Sequence, residues 1–180
     1  MPILTSQLFP AGDLNIMHLI QVDIASGASS LVSTLPSSVD LSKSFVISLG
    51  ANNVFSGSSA GTPDMMTTAE LTSATQVTFT RAVAGERILA RALVVSSDKI
   101  ISLQYVEFTV TGNLAVNNAT ISAVNTTDNR VYLFSSGRVS GYGASEQAAI
   151  PYPSIATGTA ITQVGGSKHS TSGTTTIGIY

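Results

Sequence analysis

Residues 37–50, SSVDLSKSFVISLG, place a polar turn before a compact apolar run that stops at glycine. The same order returns at residues 122–137, SAVNTTDNRVYLFSSG. In both stretches a small residue and valine precede Asp or Asn, and a polar turn then leads into the apolar run. A short apolar run bounded by a turn and by glycine is typical of a β-strand. The recurrence therefore predicts two copies of one β-module.

Two further pairs of positions support the repeat. Val77 and Ile161 are 84 positions apart, and Val39 and Val124 are 85 positions apart. No stretch carries a sustained helical period, and turn residues recur at short intervals along the chain. We therefore expect an all-β fold of two tandem antiparallel β-sandwich modules related by internal duplication.

The repeat sets the expected domain boundaries. Residues 1–15 contain chain breakers and read as an N-terminal arm, either frayed or packed on a neighbouring subunit. The first module should span residues 16–97 and the second residues 98–180. Because only Ser97-Asp98-Lys99 joins them, we expect two rigidly stacked units rather than flexibly tethered ones.

The pattern predicts six strands in the first module and five in the second. In the strand near residue 77, Val77 and Phe79 should face inward, and the run 45–49 should be fully buried. Pro36 cannot donate a ladder hydrogen bond, so the second strand should be an edge or carry a bulge. The chain ends on a strand that could pair with a neighbour. The predicted strands are residues 16–24, 31–39, 45–49, 69–72, 75–81, 87–96, 100–111, 116–124, 130–134, 159–162 and 174–180.

Composition excludes several classes of function. Charged residues make up 10% of the chain and the net charge is −2, with eight Lys and Arg and no basic stripe. Nucleic-acid binding is therefore not expected. The chain has no cysteine, which excludes disulfides and thiolate metal sites. We find no signal-peptide pattern and no apolar run long enough to insert into a membrane. Little charge repulsion would keep copies apart.

Two long loops are the best candidates for recognition. The loop at residues 50–67 contains apolar side chains that either fold over the core or form a contact surface. The loop at residues 137–153 contains tyrosines flanked by prolines, which suit a protein interface, sugar stacking or packing between the modules. The candidate contact residues for a partner or a glycan are Phe9, Phe55, Met65, Met66, Tyr142 and Tyr152.

No catalytic or metal-binding set stands out, and we expect neither an enzyme nor a cofactor. GSSAG at residues 57–61 matches the nucleophile-elbow pattern but lies in a Ser/Gly-rich loop, where a strand–turn–helix would be required. His18 should be a half-buried strand residue with a hydrogen bond, and His169 a solvated loop residue. Asn125 and Asp128 could bind calcium but are also ordinary turn residues.

The repeated pattern resembles β-modules in virion proteins of tailed bacteriophages. The resemblance lies in IQV through SG at residues 20–27, SVD through KSFV at residues 38–46, and EL through TQVT at residues 70–78. It covers both modules, although Asn125 and Asn129-Arg130 replace the Asp and Lys of the first copy. The resemblance implies exterior structural parts of a virion, such as fibres, neck or tail attachments, or capsid decoration, assembled in the host cytoplasm.

These observations leave two main hypotheses. In the first, the chain is a non-enzymatic homo-oligomer that assembles with copies of itself and with other virion proteins through β-edges and loops. In the second, it is a carbohydrate-binding module that recognises a host surface glycan through the aromatic loops.

Overall fold

A computed structural model describes residues 15–53, 66–100, 102–111, 116–125, 134–140, 152–155, 160–167 and 174–180. Within these ranges every regular element is a β-strand, and every strand pairing is antiparallel. The all-β fold is confirmed. The strands are β1 (Asn15–Ile24), β2 (Ser30–Thr34), β3 (Ser44–Asn53), β4 (Thr67–Ser73), β5 (Gln76–Arg81), β6 (Ile88–Ser96), β7 (Val106–Thr111), β8 (Val116–Asn125), β9 (Ser135–Ser140), β10 (Tyr152–Ile155), β11 (Ala160–Ser167) and β12 (Thr174–Ile179).

The described strands form four three-stranded sheets with one recurring order. The first half has the orders β1-β6-β3 and β2-β5-β4, and the second has β7-β12-β9 and β8-β11-β10. In each half the first strand pairs with the sixth and the second pairs with the fifth. This is the strand pairing of a jelly roll that has six strands instead of eight. This identity of order is what internal duplication would produce, and duplication itself stays a prediction.

The core of the first half lies between its two sheets. Along β1 the inward side chains are buried, whereas Leu19, Gln21 and Asp23 on the other face are exposed. The expected burial of Val77 and Phe79 in β5 is confirmed. Because both sheets contribute to one cluster, they pack face to face as a sandwich. The cluster includes Ile20, Val22, Ile24, Val46, Ala69, Val77, Phe79, Ile88, Ala90, Ala92 and Val94.

The second half has its own apolar cluster. Val110 of β7 and Ile179 of β12 are fully buried in it. The partly buried side chains packed against this pair come from β7 and from β8 of the other sheet, which again places the core between two sheets. They are Val106, Phe108, Ala119 and Ile121.

Strand ends in the first half differ from the prediction. β2 ends at Thr34, so the predicted strand through Val39 is too long, because the chain leaves the sheet before Pro36. β3 does not stop at Gly50 but continues to Asn53 through a bulge, where Gly50 adopts a φ of 83°. That positive φ favours glycine. The prediction of full burial for residues 45–49 is wrong, because Leu49 is 52% exposed at the bulge.

Strand ends in the second half also differ. β7 begins at Val106, so residues 97–105 link the two halves rather than three residues alone. β9 includes residues 137–140, which were predicted as loop, while residues 130–133 of the predicted strand lie outside the described residues. β11 continues through residues 165–167, which were predicted as turn.

The closing strand is not an edge. β12 lies between β7 and β9 and pairs with both along its whole length. The prediction that the chain ends on a strand free to pair with a neighbour is therefore wrong. The first, third and last strands of each half share one sheet, and this order places the last strand at the centre.

A buried arginine holds one end of the first sandwich together. Arg81, at the end of β5, is 1% exposed. Its Nε donates to the carbonyl of Ala28 (2.6 Å) and its Nη1 to that of Glu86 (2.5 Å). Its Nη2 donates to the carbonyls of Ala25 (3.0 Å) and Gly85 (3.3 Å). One guanidinium thus joins the turn after β1 to the turn before β6.

We expect Arg81→Met to lower the free energy of unfolding by about 3 kcal/mol, because the four partly buried hydrogen bonds of the guanidinium would be lost together. Arg91→Met is the matched control, since Arg91 is exposed and donates to the Gln21 side chain. That change should cost no more than about 0.5 kcal/mol. Urea unfolding of both variants measures the difference, and equal stabilities would contradict the role of Arg81.

Candidate functional site

The predicted contact residues lie mostly outside the described part of the chain. Phe9, Phe55, Met65 and Tyr142 belong to this group, as do GSSAG at residues 57–61, His169 and Asp128. Their roles in partner or glycan contact stay predictions. Met66 directly precedes β4 and is half-buried, so it turns at least part of its side chain toward the protein. Tyr152 begins β10 and pairs with Ser167, which places it in a strand rather than in a loop.

The described residues contain few side chains arranged for catalysis or metal binding. His18 is half-buried in β1, and its Nε2 lies 3.2 Å from the Ser37 hydroxyl, as expected from the sequence. Among the described residues no three acidic or histidine side chains come together as metal ligands. The same ranges hold no helix long and apolar enough to cross a membrane.

The most distinctive feature is a cluster of four aromatic rings, here called the aromatic junction: Phe45, Tyr105, Phe134 and Tyr180. Phe45 belongs to the first half, Tyr105 is the last residue of the link, and Phe134 and Tyr180 belong to the second half. The rings of Phe45 and Phe134 stack with centroids 4.7 Å apart. Tyr180 lies 6.3 Å from Phe45 and 4.7 Å from Tyr105. These separations are typical of favourable ring pairs, so the junction joins the two halves by direct contact.

Strand geometry explains why Phe45 needs this cover. Phe45 pairs with Val95, and the next residues, Val46 and Val94, face the core of the first half. Since neighbours on a strand point to opposite faces, Phe45 and Val95 lie on the outer face of the sheet. They are nevertheless only 3% and 1% exposed. The second half therefore covers this part of the outer face, through the ring of Phe134.

Backbone hydrogen bonds hold the rings of the second half in place. The Phe134 amide donates to the Tyr180 carbonyl (3.0 Å), and the Tyr180 amide donates to the Phe134 carbonyl (2.9 Å). A further bond crosses between the halves, because the Leu71 amide of β4 donates to the Tyr180 hydroxyl at 2.6 Å. The Tyr180 ring also packs against the core of the first half. Tyr180 is thus bonded to both halves.

Tyr105 rests on a glycine of the central strand. A Cβ at Gly178 of β12 would lie 2.5 Å from the Tyr105 hydroxyl, and Gly178 itself is buried. The absence of a side chain there creates the space for the phenol ring. The Tyr105 hydroxyl donates to Glu107 at 3.3 Å.

The environment keeps both phenols protonated. Burial raises the pKa of Tyr105 well above its usual value, and the carboxylates of Glu107 and Glu70 raise it further. Burial also raises the pKa of Tyr180, although the hydrogen bond from Leu71 acts in the opposite direction. Neither hydroxyl is therefore set up as a base or nucleophile near neutral pH. The junction serves packing and hydrogen bonding.

The turn at the start of β3 secures the link between the halves. Two groups of Ser42, its amide and its hydroxyl, donate to Asp40 Oδ1 at 2.8 and 2.7 Å, and these bonds lower the pKa of Asp40. The Lys43 ammonium donates to the carbonyls of Asp98 and Ile100 in the link. The Ser97 amide donates to the Lys43 carbonyl at 2.9 Å. Lys43, two residues before Phe45, thus holds the link.

The comparisons with known proteins add no assignment. The chain matches no family model, no curated protein and no solved structure. The candidate site is the aromatic junction with its Lys43 contacts. These contacts hold the two halves against each other.

We expect Tyr180→Phe to lower the free energy of unfolding by about 1–3 kcal/mol, because the Leu71 amide would lose its partner while the ring remains. Tyr105→Phe is the control, since within the described ranges its hydroxyl makes the longer bond to Glu107, and its loss should cost less. Urea unfolding, with hydrogen exchange of the Leu71 amide, checks the result. Equal losses for the two variants, or an unchanged Leu71 amide, would contradict the bond between the halves.

Proposed function

We propose that the protein is a non-enzymatic structural protein of a bacteriophage virion. It would be an exterior component, such as a tail or neck fibre or a capsid decoration protein. It would assemble with copies of itself and with other virion proteins. The aromatic junction is the observation that carries this proposal, because a structural part must keep its modules in a constant relative orientation.

Three contacts of different kinds support a fixed orientation. The Phe45 and Phe134 rings stack across the two halves, and Phe45 is buried. The Leu71 amide is bonded to the Tyr180 hydroxyl, and Lys43 binds the carbonyls of the link. A hinge at this point would have to break all three, whereas enzymes with moving lids place few buried contacts where motion occurs.

The fold and the composition agree with a virion part. Jelly-roll sandwiches occur in viral capsid proteins and also in lectins, although this is an analogy of fold and not of site. The low content of charged residues, 10%, reduces repulsion between packed copies. The resemblance of residues 20–27, 38–46 and 70–78 to bacteriophage β-modules points in the same direction.

The lectin analogy keeps glycan recognition as the second candidate. Sugar stacking requires an accessible aromatic face. Tyr105 and Tyr180 are packed in the junction, so the predicted loop residues Tyr142 and Tyr152 are the candidates for stacking on a glycan. A receptor-binding fibre could combine both functions.

Purified particles of a phage that encodes this chain provide the test. Mass spectrometry should find the protein in gradient-purified virions, and immunogold labelling should place it on their exterior. Its absence from purified virions would contradict the proposal. Glycan-array binding by the free protein that is lost in Tyr142→Ala and Tyr152→Ala, together with absence from the particle, would favour the second candidate instead.

A further inference from the structure

The edge strands of the first half differ in how well another strand could pair with them. Three of the four edges, β1, β3 and β4, contain a β-bulge, which interrupts the regular ladder that an incoming strand requires. β2 pairs with β5 in one unbroken register from Ser30 to Thr34. Among the described edges of the first half, β2 is therefore the regular one. The bulges lie between Ile16 and His18, between Ser48 and Gly50, and between Leu71 and Ser73.

β2 also lacks the side chains that usually protect an edge. Its sequence, SLVST, has no charge and no proline. Leu31 and Val32 point to opposite faces and are 36% and 52% exposed. Lysine, proline and bulges are the common means of preventing edge pairing, and β2 has none of them within its span.

The backbone of β2 shows which groups face outward. The Ser29 carbonyl accepts a hydrogen bond from the backbone amide of Arg81 (2.9 Å), and the Leu35 amide donates to the Thr75 carbonyl (2.8 Å). Both groups point toward β5. Because backbone groups alternate sides with a period of two residues, the amides and carbonyls of the even-numbered positions face the open edge. These positions are Ser30, Val32 and Thr34.

This set of outward groups is complementary to itself. A two-fold axis through Val32 would place Val32 opposite its counterpart in a second copy and Ser30 opposite the second copy's Thr34. All three outward residues would then form hydrogen-bonded pairs, with about six backbone hydrogen bonds in total. The cross-strand pairs would be Val with Val and Ser with Thr, and no like charges would meet. A two-fold interface requires this self-complementarity.

We propose that β2 is an assembly edge that pairs antiparallel with β2 of a second copy of this chain, with Val32 at the two-fold axis. The pairing joins two three-stranded sheets into one continuous six-stranded sheet. The inference rests on the self-assembly in the proposed function and names the surface for it. It does not depend on a virion, so measurements on the purified protein separate the two proposals.

Cross-linking tests the register. The chain has no cysteine, so Val32→Cys introduces a single thiol. Hydrogen-bonded strand pairs have Cα atoms about 5.5 Å apart, which a disulfide can bridge. Mild oxidation should yield a covalent dimer for Val32→Cys. The control is Leu49→Cys, because Leu49 has the same 52% exposure but lies on a bulged edge. No dimer with Val32→Cys, or equal dimer with both variants, would overturn the proposal.

Light scattering tests the association itself. We expect the unmodified protein to elute with a mass of about twice 18.5 kDa. Val32→Lys would place two ammonium groups opposite each other and should weaken the dimer roughly tenfold or more. Leu49→Lys should leave the dimer unchanged, and both variants should unfold at similar urea concentrations because both sites are exposed. A monomeric unmodified protein, or a dimer unaffected by Val32→Lys, would contradict the proposal.

The outcomes also separate this inference from the proposed function. If the protein forms a β2-linked dimer but is absent from purified virions, the proposed virion function is contradicted and the β2 proposal stands. If the protein is found in virions but is monomeric in solution and unaffected by Val32→Lys, the β2 proposal is contradicted and the virion function stands.

Discussion

The burial of Phe45 is the constraint on which the arrangement of the two halves depends. Full burial of a phenylalanine ring stabilises a protein by roughly 1.5–3 kcal/mol, and Phe45 points away from the core of its own sandwich. Its cover must therefore come from beyond this core. The second half supplies the Phe134 ring, and Tyr180 then reaches the Leu71 amide. Lys43, two residues before Phe45, holds the link between the halves close to this contact.

The first half differs along its surface in how its turns and strand edges are held. Arg81 fastens the two turns at one end of the first sandwich, and three of the edges in this half are interrupted by bulges. The bulges interrupt the regular ladder that an added strand would require. β2 is the exception, with a regular ladder and exposed apolar side chains. This difference is what makes β2 the edge proposed for pairing with a second copy.

Local sequence pattern predicted what depends on neighbours along the chain. The alternation in β1 and β5, the all-β class and the half-buried His18 follow from period and composition. Gly50 was misread because glycine both ends strands and permits the positive φ of a bulge, and the local sequence does not distinguish these uses. The central position of β12 depends on pairing between distant strands. The burial of Arg81 and the ring partner of Phe45 are likewise tertiary properties.

Differential scanning calorimetry tests most directly whether the junction makes one unit of the two halves. If the rings of the aromatic junction and the Lys43 contacts couple the sandwiches, the intact protein unfolds in a single transition whose calorimetric and van't Hoff enthalpies agree. Two separate transitions, each with about half of the total enthalpy, would mean that the halves unfold independently and would contradict the account.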